Sequence, residues 1–324
     1  MEYPVKPTFL LSLDFELLWG FHDLNEKAFW SKQIEMSDAR VRILQLIEQL
    51  EGYEISATWA LVGHLFLNSC NGHEDYPDSG WLARDPRSSV SEAPLWYAPD
   101  IIETLRGSRM FELACHSFTH AIFSKIDSDT ANYELDEFIK AARDFGVSPR
   151  SIVFPRNEVG HKALLRSHGI ISYRSKPKLL FNSRFQQGLD TIIGLSPPTP
   201  VLPRVSKWGI VEIPGSMPLG FEHSNFMEIL KKVQPRDVWR WKIRMGLDQV
   251  IQKGGIFHVW MHPNDFRKRL HKSDLAYLLE LVSKYRDRDE LQVMTMNEIA
   301  TTVIKQKNKA VKHLNNQDTH SLGI

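Results

Sequence analysis

Asp14 and Glu16 stand two residues apart at the end of the apolar run Phe9-Leu10-Leu11-Ser12-Leu13. Alternation along a strand puts both carboxylates on one face and Phe15 on the other. Two carboxylates at one point repel each other and need a cation. His116 and His120 follow a run that ends at Cys115, and their four-residue spacing projects both imidazoles the same way if a helical turn begins there. One carboxylate with two imidazoles leaves an open position on a tetrahedral or octahedral ion, the arrangement of a hydrolytic metal site. Cys115, as a strand residue, is expected to point into the core.

Other polar residues collect where apolar runs end. Pro155 stops a strand after Phe154 and turns Arg156 outward, where a fixed guanidinium could orient a catalytic carboxylate through a bidentate pair. His262 closes the run Ile256–Met261 and is placed for acid–base work, whereas His258 inside that run reads as a core or supporting histidine. Trp19, Trp81, Trp96 and Trp260 fall near loops, where aromatic faces could stack on sugar rings. Other nucleophile and phosphate motifs fail. Gly254-Gly255 has no phosphate-loop context, no Gly-x-Ser-x-Gly elbow occurs, and Cys70 lies in an irregular stretch without an obvious histidine-and-acid context.

The elements that must position these residues alternate. Strands are expected at 8–13, 55–62, 110–115, 151–154, 170–173, 210–213, 256–261 and 291–295. Helices are expected between them. One is capped by Ser37, with Val41, Leu44, Ile47 and Leu50 at helical spacing, and others run over 100–106, 130–145, 161–167 and 237–253. Seven or eight mostly parallel strands alternating with helices define a single-domain α/β sheet, open or closed into a barrel, whose site lies at the C-terminal strand ends. Two irregular stretches interrupt the pattern. Residues 68–99 are too long for a connector and read as a functional loop or lid, and 176–207 is rich in proline. The tail from about Lys305 to 324 has no period and is expected to be disordered.

Composition narrows the partners. Forty Lys and Arg against 39 Asp and Glu leave a net charge of +1, so no global field recruits nucleic acid or anionic lipid. No run approaches the roughly 20 apolar residues of a membrane span. With two cysteines and no basic leader before the first apolar run, a cytoplasmic location is expected.

Taken in order, Ser12-Leu13-Asp14-Phe15-Glu16, His116-Ser117-Phe118-Thr119-His120, Phe154-Pro155-Arg156-Asn157 and Trp260-Met261-His262 resemble the motifs of the polysaccharide deacetylase (NodB-homology) family. The resemblance spans about residues 8–301. It implies a distorted (β/α) barrel over about 1–304 and one divalent ion, usually zinc. The implied reaction is hydrolysis of an N-acetyl group from an amino sugar of a glycan or glycan precursor. By that resemblance Asp14 is the base, Glu16, His116 and His120 hold the metal, Arg156 orients the base and His262 is the acid. Trp96, Tyr97, Trp19 and Trp260 are the expected substrate-stacking residues. The chain departs from the commoner pattern of adjacent aspartates followed by glycine, and its Asp-x-Glu form leaves open which carboxylate is the ligand. The arginine motif also lacks the usual proline-and-glycine continuation. Two other functions remain open: hydrolysis of a non-sugar C–N bond in a ureide or cyclic imide, and non-catalytic carbohydrate binding on the same fold.

Overall fold

The computed structural model describes residues 2–78, 80–177, 197–219, 238–264 and 269–321. Strand β1 (Thr8–Phe15) is buried along its whole length. Its odd positions Phe9, Leu11, Leu13 and Phe15 pack outward against the surrounding helices, while even-numbered Leu10 faces the inner cluster. That inner stripe turns polar toward the C-terminal end, through Ser12 to Asp14.

Around β1 the chain alternates strands and helices. Helices α1 (Glu26–Glu35) and α2 (Ala39–Gly52) lead to β2 (Ala57–Leu61), and α3 (Pro99–Gly107) leads to β3 (Phe111–Cys115). Next come α4 (Ser128–Asp144), β4 (Ser151–Val153), α5 (Lys162–Leu165) and β5 (Ser172–Ser175). After them come β6 (Arg204–Val205), β7 (Val211–Pro214), β8 (Met217–Pro218), α6 (Val238–Lys253) and β9 (Ile256–Met261). The described chain ends with α7 (Arg269–Arg286), β10 (Gln292–Val293) and α8 (Met296–Ser321).

The sheet order is β6-β7-β5-β4-β3-β2-β1-β9-β8, with β10 also on β1. Every pairing is parallel except β6 with β7. Closure comes from one bend. β7 pairs with β5, and two residues later β8 pairs with β9, so the sheet curls into the expected distorted barrel. The start of α8 lies at one end of that barrel, with Met296, Ile299, Ala300 and Val303 buried in the same cluster as Leu10, Ala60 and Ala114.

Several expectations change in detail. In α2 the buried stripe is Ile43, Leu46, Ile47 and Leu50, while Val41 and Leu44 are exposed, because the face toward the sheet is set one residue round from the three-residue spacing. Residues 305–321, expected to be disordered, continue α8 from its anchored first turns. Among its described residues the long stretch 68–98 has turns, bends and one isolated bridge, Ser69 with Ser89. Most of the second irregular stretch, 178–196, lies outside the described residues. Among the described residues no helix is long and apolar enough to cross a membrane.

Candidate active site

Register brings distant residues onto one shelf. Phe15 pairs with Leu61, Leu61 with Cys115, Cys115 with Ile152 and Ile152 with Tyr173. One residue further along β1, β3 and β5 stand Glu16, His116 and Arg174. On the other side Leu13 pairs with Met261, which sets His262 beside Asp14. Phe15 and Cys115 themselves point into the core, as expected.

Glu16, His116 and His120 meet. Glu16 Oε2 lies 2.9 Å from His120 Nε2 and 3.3 Å from His116 Nε2, and all three side chains are buried. His116 Nδ1 donates to the Val153 carbonyl at 2.7 Å, which leaves the Nε2 lone pair aimed at the carboxylate. Two such atoms 3.3 Å apart are satisfied by a proton on Nε2 or by a metal ion between them. The donor set of one oxygen and two nitrogens with an open side fits a divalent ion of the zinc type. Gly20 completes the cradle, since a Cβ there would stand 2.7 Å from Glu16 Cγ and closer still to its carboxyl group. Burial acts to raise the Glu16 carboxyl, but His262 and His120 outweigh it and hold it well below the usual range. Burial pushes His120 down, toward the neutral form that ligates metals.

The two imidazoles converge without a helix. Residues 116–120 form a loop with Ser117 and His120 at positive φ, pinned by Glu134 of α4. The Glu134 carboxylate accepts the backbone N–H groups of Phe118 at 2.6 Å and Thr119 at 2.9 Å, and the hydroxyls of Thr119 and Tyr76. An acid on a helix face sixteen residues away carries no spacing signal in the sequence.

Asp14 belongs to a second network. Arg174 donates Nη1–H to Asp14 Oδ1 at 2.7 Å and Nη2–H to Oδ2 at 2.6 Å, with both side chains buried. Burial raises the Asp14 carboxyl, but the Arg174 charge, with His116 and His262, brings it below its ordinary value. Arg174 is fixed in turn by Ser12 Oγ, by Asn157 Oδ1 and by the Trp260 ring, 4.7 Å from the guanidinium carbon. Behind Ser12 stands His258, buried, at 2.8 Å from Ser12 Oγ and donating Nδ1–H to Pro214 O at 3.0 Å.

The arginine that holds Asp14 is therefore Arg174, and the expectation for Arg156 is corrected. Arg156 occupies a positive-φ turn and spends its guanidinium on Asp23 at 2.6 Å and Gly20 O. The alternation Ser172-Tyr173-Arg174, polar-apolar-polar inside a strand, was the signal that could have found it.

Asp14, Glu16, His120, Arg156, Trp260 and His262 share one cavity of about 170 Å³, to which Gly20, Phe21 and Asn157 also contribute. His262 Nε2 is 3.6 Å from Glu16 Oε1. Three of the four expected stacking aromatics are elsewhere. Trp19 and Tyr97 are wholly buried and Trp96 nearly so, because Trp96 packs edge-on against Trp19 at 5.0 Å and fixes the 68–98 stretch to the barrel. Trp81 donates to Thr119, behind the histidine loop. Only Trp260 of the four lines the cavity, and Phe21 is an aromatic that the sequence reading missed.

No protein-family model matches the sequence, and no curated protein matches it. Solved structures do resemble it. A protein from Mycobacterium smegmatis described as a polysaccharide deacetylase is 16% identical, with a TM-score of 0.56 over 95% of this chain and 96% of that one. A Pseudomonas aeruginosa PAO1 protein of the same description is 9% identical, with a TM-score of 0.55 over 92% and 90%. Puue allantoinase is 11% identical, with a TM-score of 0.54 over 92% and 90%. What these structures share with the chain is the fold, a curled, mostly parallel sheet surrounded by helices.

Proposed function

We propose that the chain is a metal-dependent hydrolase of an N-acyl C–N bond, acting on the N-acetyl group of an amino sugar. The observation that carries this reading is one cavity bordered by an arginine-locked carboxylate, a carboxylate met by imidazoles and a further imidazole at a strand end. Glu16, His116 and His120 are the residues that would hold the ion. When bound, a divalent ion supplies Lewis acidity, polarising the acyl carbonyl and acidifying water. Asp14, kept ionised and oriented by Arg174, takes the proton from the attacking water. His262, at the strand end beside Asp14, returns a proton to the departing amine. Trp260 and Phe21 flank the group that enters.

The cavity volume favours a substrate presented as a single sugar or chain end over a glycan lying along an aromatic groove, since 170 Å³ is below the usual size of drug-sized pockets. The same observation supports a second reading, hydrolysis of a small ureide or cyclic imide. Acetate release from N-acetylated sugars, measured with zinc-loaded protein and after chelation, tests the first. Turnover of a ureide with none of any acetylated sugar would replace it with the second, and no turnover of either by metal-loaded protein would favour carbohydrate binding. Asp14→Asn should stop turnover and keep the ion, and Glu16→Gln should lose the ion. The opposite pattern would reverse the two roles.

A further inference from the structure

Cys70 does have a histidine-and-acid context, and it lies outside the cavity described above. We propose that His64, Cys70, His73 and Asp85 form a second metal site, a closed four-ligand structural centre of the zinc type. His64 comes from the turn after β2, and the other three come from the 68–98 stretch. Their ligand atoms all lie within 4.8 Å of one another. Cys70 Sγ is 3.2 Å from His73 Nε2 and 3.7 Å from Asp85 Oδ2, and His64 Nε2 is 3.8 Å from Asp85 Oδ2. A tetrahedral ion with bonds of about 2.0–2.3 Å separates its ligands by roughly 3.3–3.8 Å, a range that holds the two Asp85 edges and that the Cys70–His73 edge falls just short of.

Local chemistry favours the same conclusion. His64 is wholly buried and neither ring nitrogen makes a hydrogen bond of ordinary geometry, a state that costs free energy unless something else binds there. Asp85 is buried too, and no Lys or Arg among the described residues pairs with it. Its Oδ1 accepts the Arg87 backbone N–H, leaving Oδ2 turned to the cluster. Cys70 Sγ accepts the backbone N–H of Gly72 at 3.2 Å, which fixes the sulfur beside His73. Gly72, at φ +112°, makes the turn in Cys-x-x-His that returns His73 to the sulfur. Thiolate with imidazole selects zinc over hard cations, and four protein ligands leave no position for substrate.

The site has a structural task. It would staple the 68–98 stretch to the barrel, since Gly63 and His64 donate their backbone N–H groups to Ser117 O and Phe118 O in the histidine loop. The His64 ring also packs on Trp19 at 4.5 Å, and Trp19 donates its backbone N–H to Glu16 O.

Metal analysis of the full chain, expressed in zinc-supplemented medium, tests this independently of the first site. Wild type should carry two equivalents, Cys70→Ser one, His116→Ala one and the double variant none. Cys70→Ser should also melt at least about 5 °C lower. Cobalt added to chelator-stripped wild type should give a near-ultraviolet thiolate-to-cobalt charge-transfer band that persists in His116→Ala. That readout holds even if Cys70→Ser does not fold. Absence of the band, or two equivalents retained in Cys70→Ser, would overturn the second site. Loss of the first-site reading alone would appear as wild type with one equivalent, kept in His116→Ala and lost in Cys70→Ser.

Discussion

Gly20→Ala isolates the geometry of the proposed metal ligand from the stability of the fold. Gly20 lies in the short 3₁₀ turn Leu17–Phe21 that directly follows Glu16, and it has no positive φ, so an alanine suits its backbone. The new methyl would stand 2.7 Å from Glu16 Cγ, whereas carbon pairs rest at roughly 3.5–4.0 Å. Cγ must therefore retreat by about 1 Å, and it can, because the obstructing atoms belong to a flexible side chain. A ligand bond tolerates only about ±0.2 Å, so the carboxylate leaves the coordination sphere. Outer partners of metal ligands are worth about 10–100-fold in affinity, and displacing a ligand itself should cost at least about 100-fold. Competition with a calibrated chelator measures that loss. Thermal melting of the metal-free protein should move by less than about 3 °C, since less than about 1 kcal/mol is at stake in the turn. Wild-type metal affinity in Gly20→Ala would refute the assignment of Glu16, and a collapsed fold would refute the claim that only its side chain must move.

Three further outcomes follow from the packing. Arg174→Lys keeps the charge but cannot bridge both Asp14 oxygens, so turnover should fall about 100-fold with metal content unchanged, while Arg156→Lys should cost less than about 10-fold; the reverse order in kcat would restore Arg156 to the orienting role. Glu134→Ala strips the acceptor from two backbone N–H groups and two hydroxyls, and urea unfolding should register a loss of about 3 kcal/mol or more. A loss under about 1 kcal/mol would mean the histidine loop holds itself. Trp96→Ala should destabilise by about 3–5 kcal/mol and reduce turnover of large and small acetylated substrates equally; a selective loss on oligosaccharides would return the 68–98 stretch to the role of a substrate lid.

The strands and their carboxylate and imidazole endings were legible because a barrel strand buried on both faces is a short apolar run and the ionisable residue that follows the run marks its end. That rule located Asp14, Glu16, His116 and His262. The same rule points to Arg174, one residue past the strand expected at 170–173, but Arg156 at the preceding strand end offered a competing guanidinium. The aromatics misled for a related reason. A tryptophan in an irregular stretch looks free to meet ligand, but a stretch of about thirty residues with no ladder of its own must bury side chains to hold its place, and Trp96 and Tyr97 serve that need. The His64, Cys70, His73 and Asp85 cluster escaped notice because one member lies on the barrel and the other three are spread over sixteen residues of turn.

The open choice between Asp14 and Glu16 shows what one residue of separation can do. Strand alternation gives both carboxylates the same cavity, but β1 ends at Phe15, and Glu16 at φ −127°, ψ −17° turns the chain into the 3₁₀ turn. Asp14, still in the strand and one methylene shorter, meets the guanidinium of Arg174, whose two N–H bonds occupy both of its oxygens. Glu16, past the strand end and longer, meets the imidazoles of the loop after β3. The Arg174 charge disfavours a second cation at Asp14, whose oxygens each keep a lone pair that can take a proton, and the converging imidazoles leave Glu16 poorly placed to collect one. Under the proposed roles, side-chain length and strand end together divide the labour, so exchanging the two acids should abolish both functions even though charge and composition are conserved.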